Sequence, residues 1–209
     1  MASIRELWSL LLIVLAVLLW SVVAPHDYVI WVMEALPVML AIPLLTATRV
    51  RFPLTRLAYY LIAVHGIILL VGAHYTYAKV PAGNWVAELL DIQRNHYDRF
   101  AHVVQGFVPA IIAREILIRF EVVQRGAWLF FLVICFCLGF SALYEIIEWQ
   151  SAVWGGDSSM EFLGTQGDIW DAQWDMLLAL SGSIIAQLLL VKRHDQQLQQ
   201  ITVRLTSNV

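Results

Sequence analysis

The chain has 209 residues, of which 60% are hydrophobic and only 14% are charged, and its formal net charge is -3. A soluble domain carries about 25% charged residues, so this chain has too little polar surface for a water-facing globule. The small negative charge excludes a generic nucleic-acid binder, and a content of two cysteines excludes a disulfide framework. We therefore expect an integral membrane protein whose first partner is the lipid bilayer.

Six apolar stretches are long enough to cross a bilayer, which takes about 20 residues. They are continuous apolar runs rather than segments of alternating polarity, so they predict helices and not a membrane barrel. The predicted spans cover residues 7–24, 29–47, 57–77, 97–118, 127–149 and 169–191. The expected fold class is all-α, a polytopic helical bundle that forms one domain over residues 1–191.

The segments between and after the spans carry their own predictions. The first span is interpreted as a retained helix, because its apolar run is longer than the core of a signal peptide. Asn84 is expected to cap a short helix that ends near Ile92. The region from Gln150 to Gly167 predicts a flexible connection, and residues 192–209 predict a cytoplasmic tail that extends the last helix and is only partly ordered.

The basic residues predict the orientation of the bundle. If the N-terminus is inside, ten of the 13 Lys and Arg residues fall on the cytoplasmic side. Only Lys79, Arg94 and Arg99 fall on the outer side. The positive-inside rule therefore predicts that both termini are cytoplasmic.

The acidic residues have the opposite distribution. Of the 16 carboxylates, only Glu6, Glu115, Glu121 and Asp195 fall on the cytoplasmic side, and the other twelve lie in outer loops or outer helix halves. Asp and Glu contribute little to the positive-inside rule, so topology does not require this asymmetry. It points to a polar site on the outer side.

The spacing of these groups places them on shared helix faces. Asp98 and His102 are four apart and form a candidate acid/base pair, with Gln105 close to the same stripe. Burying a carboxylate in hydrocarbon costs about 2.5–3.5 kcal/mol, so such groups should face the bundle interior. Candidate metal ligands follow on the fifth and sixth spans: Glu145, Glu148, Asp168, Asp171 and Asp175. Candidate supporting residues come from four spans: Arg99, Gln173, His74 and Glu34.

Crowded carboxylates repel one another unless their negative charge is neutralised. Shared protons, Arg99 or a bound divalent cation could neutralise it. Three functions stay open. The first is a site for a divalent cation or for a lipid or envelope head group, with acid/base or metal-assisted chemistry if the protein is an enzyme. The second is a cation or proton-coupled transporter with a polar path past Glu34 and His65, which an apolar cytoplasmic half without matching carboxylates argues against. The third is a structural component whose carboxylates brace the bundle.

Three polar segments carry a resemblance to a known family. They are His96-Tyr-Asp-Arg-Phe-Ala-His102, Tyr144-Glu-Ile-Ile-Glu-Trp149 and the stretch from Gly164 to Met176, which includes Gly-Asp-Ile-Trp-Asp-Ala-Gln-Trp-Asp. With the length and hydropathy, they resemble the YjdF family of bacterial inner-membrane proteins over nearly the whole chain. The resemblance implies a multi-pass protein of the bacterial inner membrane and supplies no catalytic assignment.

More distantly, the order of an Asp-Arg-x-x-His helix, a Glu-bearing helix and a final Asp-bearing helix is similar to that of VanZ-like membrane proteins. That family carries one Glu and usually an Asn in the last helix. This chain has Glu145 with Glu148, and Asp175 in the last span.

Overall fold

The computed structural model describes residues 2–155 and 165–207, and this part of the chain contains helices and no strand. The seven α-helices are α1 (Ile4–Ser21), α2 (Tyr28–Thr48), α3 (Arg56–Tyr75), α4 (Pro81–Leu89), α5 (Tyr97–Arg119), α6 (Ala127–Gly155) and α7 (Asp171–Ser207). All except α4 are long and apolar enough to cross a membrane. The prediction of an all-α bundle with six spans is therefore confirmed.

Local capping explains where the first and fourth helices begin. Ser3 and Glu6 form a capping box, in which Glu6 N donates to Ser3 Oγ at 3.2 Å and Ser3 N donates to Glu6 Oε2 at 2.8 Å. The short helix α4 begins at Pro81, whose missing N–H is harmless at the first position. The prediction that Asn84 caps this helix is wrong, because Asn84 instead accepts a hydrogen bond from Asn95.

The last two helices are longer than the sequence analysis expects. Helix α6 continues to Gly155, so the region predicted as a flexible connection from Gln150 is helical at its start, and residues 156–164 of that connection lie outside the described residues. Helix α7 passes Val191 and runs to Ser207. Its extension buries His194, Leu198 and Ile201, which are 0%, 3% and 1% exposed. These residues recur at helical spacing, so the extension packs as an ordered part of the bundle.

Helix α5 is the centre of the bundle. It packs most extensively against α7, while α6 contacts both, α3 packs on α5, and α1 and α2 pack on α3. Half of the apolar stretch of α5 is buried inside the bundle, whereas only 11% of the apolar stretch of α1 is buried.

Small residues bring the backbones of α5 and α7 into contact. A Cβ at Gly106 would overlap the backbone of Ala179, and a Cβ at Gly182 would overlap the carbonyl of Val103. Close approach through glycines is typical of membrane helix pairs. It also fixes the positions of the polar groups that α5 and α7 carry.

Candidate cation site

The first turns of α5 and α7 and the last turns of α6 meet at one end of the bundle, which we call the acidic end. His102 Nε2 of α5 lies 3.6 Å from Asp98 Oδ1 and 3.7 Å from Glu145 Oε1 of α6. Asp175 of α7 completes the group, because one ligand atom each from Asp98, His102 and Asp175 lie within 4.8 Å of one another. Three helices therefore direct ionisable groups to one point.

This cluster is buried and incompletely hydrogen-bonded. His102 and Asp175 are only 4% and 2% exposed. His102 Nδ1, Glu145 Oε1 and Asp175 Oδ1 are buried atoms without a hydrogen-bond partner. Leaving a buried polar atom unpaired costs about 1–3 kcal/mol, and more for a charged group. Such atoms in one cluster point to a partner that the protein chain does not provide.

Further carboxylates surround the cluster. Glu34, Glu148 and Asp171 lie close enough to Asp98 for electrostatic interaction with it. Glu34, from α2, is 1% exposed, and its Oε2 has no hydrogen-bond partner. The acidic end therefore gathers carboxyl groups from four helices.

Two arginines neutralise part of this charge. Arg94 pairs with Asp171, and Arg99 Nη2 lies 2.6 Å from Asp168 Oδ2. The guanidinium of Arg99 also lies over the ring of Trp174, at 5.3 Å from its centroid. Asp168 sits in the turn before α7 rather than on its helical stripe, where Asp168 Oδ1 accepts from Trp170 N. Asp168 and Asp171 are therefore engaged by arginines, and Asp175 is not paired in this way.

Asn95 anchors the turn that precedes α7 to the start of α5. Its backbone N donates to Gln166 Oε1 at 3.0 Å, and Gln166 Nε2 donates back to Asn95 O at 2.9 Å. Arg94 Nη1 adds a hydrogen bond to Thr165 O at 2.6 Å. These bonds hold Asp168 and Asp171 beside the arginines.

Three of the predicted supporting residues lie apart from this point or at its margin. His74 belongs to another contact, because its Nδ1 lies 3.1 Å from Ser21 O and its ring packs on Trp20 at 4.3 Å, which joins α3 to α1. Gln173 is exposed. Gln105 is half-buried, about one turn along α5 from His102.

The sequence analysis did not identify Arg94 and Tyr77 as residues of the acidic end. Arg94 precedes α5, so helical spacing could not align it with Asp98 or with Asp171 of another helix. Tyr77 follows α3 in a 3₁₀ turn, Tyr77–Lys79. Burial raises the pKa of Tyr77 well above its usual value, and the neighbouring Glu34 raises that pKa further. The phenol of Tyr77 is therefore neutral.

Comparisons with known proteins decide the family. The family described as "Predicted membrane protein (DUF2238)" matches residues 6–196. The chain belongs to this family. It is 47% identical over 184 residues to the inner membrane protein YjdF of Escherichia coli (strain K12), an alignment that covers 88% of each chain. No solved structure gives a significant match.

This relationship confirms the resemblance to the YjdF family. Together with the six apolar helices, it makes the chain a multi-pass inner-membrane protein.

A second buried polar network lies at the opposite end of the bundle, the basic end, where α5 finishes and α3 begins. Glu115, which is 0% exposed, accepts from Thr55 Oγ at 2.7 Å, from Arg119 Nη1 at 3.0 Å and from His194 Nε2 at 3.1 Å. The sequence analysis assigned Glu115 to the cytoplasmic side but did not predict this buried network. Spacing within one helix could not reveal it, because Thr55 is the N-cap of α3 and His194 lies on α7.

Arginine contacts define the state of His194 in this network. Arg114 Nη1 lies 2.9 Å from His194 Nδ1, and Arg114 Nη2 donates to Asp195 Oδ1 at 2.8 Å. A guanidinium only donates, so Nδ1 must accept, and the proton of a neutral imidazole sits on Nε2, facing Glu115. No buried atom of Glu115, Arg114 or His194 is among the unpartnered atoms of the described residues. This network therefore has the properties of a structural brace.

Proposed function

We propose that this protein binds a divalent cation at the acidic end, through Asp98, His102 and Asp175, with Glu145 as a further ligand. The observation that carries the proposal is the set of buried atoms in this cluster that lack a partner, on Glu145 and Asp175 among others. A cation would pair with the unpaired acceptors and reduce the repulsion between the carboxylates. Carboxylate oxygens with one imidazole suit hard or borderline divalent ions such as Mn²⁺.

The distances around His102 favour ligation over direct hydrogen bonding. Separations of 3.6 and 3.7 Å from His102 Nε2 to Asp98 and Glu145 exceed the usual limit of about 3.2 Å for an N–H···O hydrogen bond. Two ligands of one ion lie about 3.0–3.5 Å apart when each metal–ligand distance is about 2.1–2.4 Å. Small inward movements of these side chains would complete such a site. In this proposal the pair Asp98 and His102, predicted as acid and base, supplies ligands.

Manganese binding to the purified full-length protein tests the proposal. Free Mn²⁺, measured by electron paramagnetic resonance during a titration, should reveal one saturable site. Loss of one ligand in Asp175→Asn or His102→Gln should weaken the affinity by about 10–100-fold or more, by analogy with the effects of ligand-supporting residues. Glu88→Gln is the matched control, because Glu88 is an exposed carboxylate of α4.

Thermal unfolding of each variant separates ligand loss from misfolding. A folded Asp175→Asn protein that binds Mn²⁺ as the wild type does would refute the cation site. So would equal losses in Asp175→Asn and Glu88→Gln, or the absence of Mn²⁺, Ca²⁺ and Zn²⁺ binding by the folded wild type.

The middle of α5 favours binding at one end over a path through the membrane. Between Gln105 and Arg114, its buried side chains are apolar: Val108, Ala110, Ile111 and Ala113. In this proposal α5 therefore offers no further ligand between the cluster and the basic end.

We also propose that the acidic end faces away from the cytoplasm, with both termini cytoplasmic. The support is the ten-to-three distribution of Lys and Arg between the two sides. Fusing a reporter that is active only in the cytoplasm to the C-terminus should give an active fusion. An active periplasmic reporter at the same position would reverse the orientation.

A further inference from the structure

An apolar cavity of about 270 Å³ lies in the half of the bundle towards the basic end. Most of its lining comes from residues 4–14 of α1, 37–49 of α2 and 59–69 of α3. These stretches are the start of α1, the second half of α2 and a part of α3 that begins near its N-terminus. The middle of α5 and Phe140 of α6 complete the walls. The cavity is therefore separate from the acidic cluster.

Contacts at the two ends of α1 leave room between α1 and α2. Trp31 Nε1 donates to Ser21 Oγ at 3.0 Å and joins the last turn of α1 to the first turn of α2. Arg56 pairs with Glu6 and joins the start of α1 to the start of α3. Both α1 and α2 pack on α3, but they make few contacts with each other. The cavity therefore lies between α1 and α2, over α3.

The cavity is accessible from the surrounding lipid. Ile4, Trp8 and Phe140 line it and are exposed, whereas Val14 and Val38 line it further in and are buried. All of these residues belong to helices that can cross a membrane, so the exposed part of the lining faces hydrocarbon or the membrane interface. A hydrocarbon chain is therefore the ligand that can enter directly.

The dimensions of the cavity suit one such chain. Its wall on α2 runs from Pro37 to Arg49, about 18 Å at the rise of an α-helix. One leaflet accounts for about half of a hydrocarbon core of about 30 Å. The volume is small for a ligand pocket, which favours a narrow chain over a bulky ring system.

Positive charge surrounds the end of the cavity at the membrane surface. Among the described residues that line it, Arg49 alone carries a formal charge, and its side chain is exposed at the end of α2. Arg5 and Arg51 are also exposed at this end. In the described part of the chain, no ion pair engages any of these three arginines. Basic residues near the membrane surface attract anionic lipids.

We infer that this cavity binds an anionic phospholipid, with one acyl chain between α1 and α2 and the phosphate beside Arg49. The guanidinium can donate to phosphate oxygens, and the neighbouring arginines favour a head group with net negative charge over a zwitterionic one. The lipid belongs to the leaflet at the basic end. The inference goes beyond the proposed function and does not depend on the cation site.

Photocrosslinking tests where the chain lies. The probe is phosphatidylglycerol with a diazirine at the end of one acyl chain, present in phosphatidylcholine nanodiscs that hold the full-length protein. Mass spectrometry of the labelled peptides should place the label on the cavity walls from α2 and α3.

Matched variants separate the cavity from ordinary lipid contact. Ala63→Phe fills the cavity and should remove most of the wall labelling, whereas Val64→Phe, on an exposed neighbour outside the lining, should leave it unchanged. Ala41→Phe and its control Leu40→Phe, also on an exposed residue, provide a second pair if the first variant fails to fold.

The head group is tested with a phosphatidylcholine probe that carries the same diazirine chain. The wild type should label more strongly with phosphatidylglycerol than with phosphatidylcholine. Arg49→Gln should lower this preference about fivefold, the effect of one basic residue near an anionic lipid. Arg193→Gln is the control, because Arg193 is an exposed arginine of α7 outside the cavity lining and should not change the preference.

The outcomes are distinguishable. Equal wall labelling in folded Ala63→Phe and Val64→Phe proteins would overturn the chain position. Equal labelling of the wild type by the two probes, or equal preferences in Arg49→Gln and Arg193→Gln, would overturn the head-group assignment. Absence of wall labelling in a folded wild type would overturn the lipid, and a dimer in that sample would indicate a second copy of the chain as the occupant.

Discussion

The substitution Glu115→Gln tests the buried network at the basic end. Both carboxylate oxygens of Glu115 face donors only: Thr55 N and Arg119 Nη1 on Oε1, and Thr55 Oγ and His194 Nε2 on Oε2. Glutamine replaces one carboxylate oxygen by an NH₂ group. The N–H donors of this group would then face the donors of the neighbouring residues. Because the Thr55 hydroxyl can turn and accept from this group, one or two charge-assisted hydrogen bonds are lost, and the positive charge of Arg119 is no longer compensated there.

Two scales bound the expected loss of stability. Hydrogen bonds to charged groups contribute about 1.5–3 kcal/mol each, which gives roughly 1.5–6 kcal/mol for one or two. Hydrogen bonds between membrane helices average about 0.6 kcal/mol and reach about 1.7 kcal/mol. Because Glu115 and His194 are both 0% exposed and the bonds are charge-assisted, we expect a value within the first range, about 3 kcal/mol.

Equilibrium unfolding of the full-length protein in mixed detergent and SDS micelles measures this free energy, with tryptophan fluorescence as the signal. Glu121→Gln is the matched control, because Glu121 is an exposed carboxylate at the same end. If the two variants unfold within about 0.5 kcal/mol of each other, the usual scatter of surface substitutions, the reasoning about the network is refuted.

Three further predictions concern the packing around the two ends. Gly182→Leu should destabilise the protein by about 3 kcal/mol or more and weaken Mn²⁺ binding, since its side chain would overlap the carbonyl of Val103. Gly139→Leu, which meets open space, should do neither. Arg94→Gln should cost about 3 kcal/mol in SDS unfolding by leaving buried Asp171 unpaired, and a near-neutral result would contradict the pairing. Leu198→Ala should cost about 2–5 kcal/mol and Leu189→Ala, on a 69% exposed residue, far less, whereas equal effects would indicate a tail that does not pack.

The sequence predicted those features that repeat within a single helix. Apolar runs of membrane length located all six spans, because the bilayer requires each span to satisfy its own backbone hydrogen bonds. The spacing of Asp98 and His102 likewise placed them on one face of α5. The cost of carboxylates in hydrocarbon then directed Glu145 and Asp175 towards the interior.

The features that the sequence did not predict depend on contacts between helices. Arg94 precedes α5 and reaches Asp171 of α7, a pair separated by two spans, α5 and α6, and their connections. The sequence analysis assigned His194 to a partly ordered tail. Nothing in the Gln-rich sequence around His194 indicates that it contacts Glu115 of α5. Periodicity within α7 could have indicated the packed face, since His194, Leu198 and Ile201 are four and three residues apart.

The two polar ends of the bundle differ in a way that separates a ligand site from a brace. At the basic end, Glu115 accepts from Thr55, Arg119 and His194, and the charge of Arg119 balances it. At the acidic end, Glu145 and Asp175 carry buried acceptors without partners, and Arg94 carries a buried donor without one. A structural brace stabilises the fold because every buried polar group in it has a hydrogen-bond partner. The acidic end lacks this stabilisation. Retaining unpaired acceptors of Glu145 and Asp175 side by side in a membrane is what the proposed cation site requires.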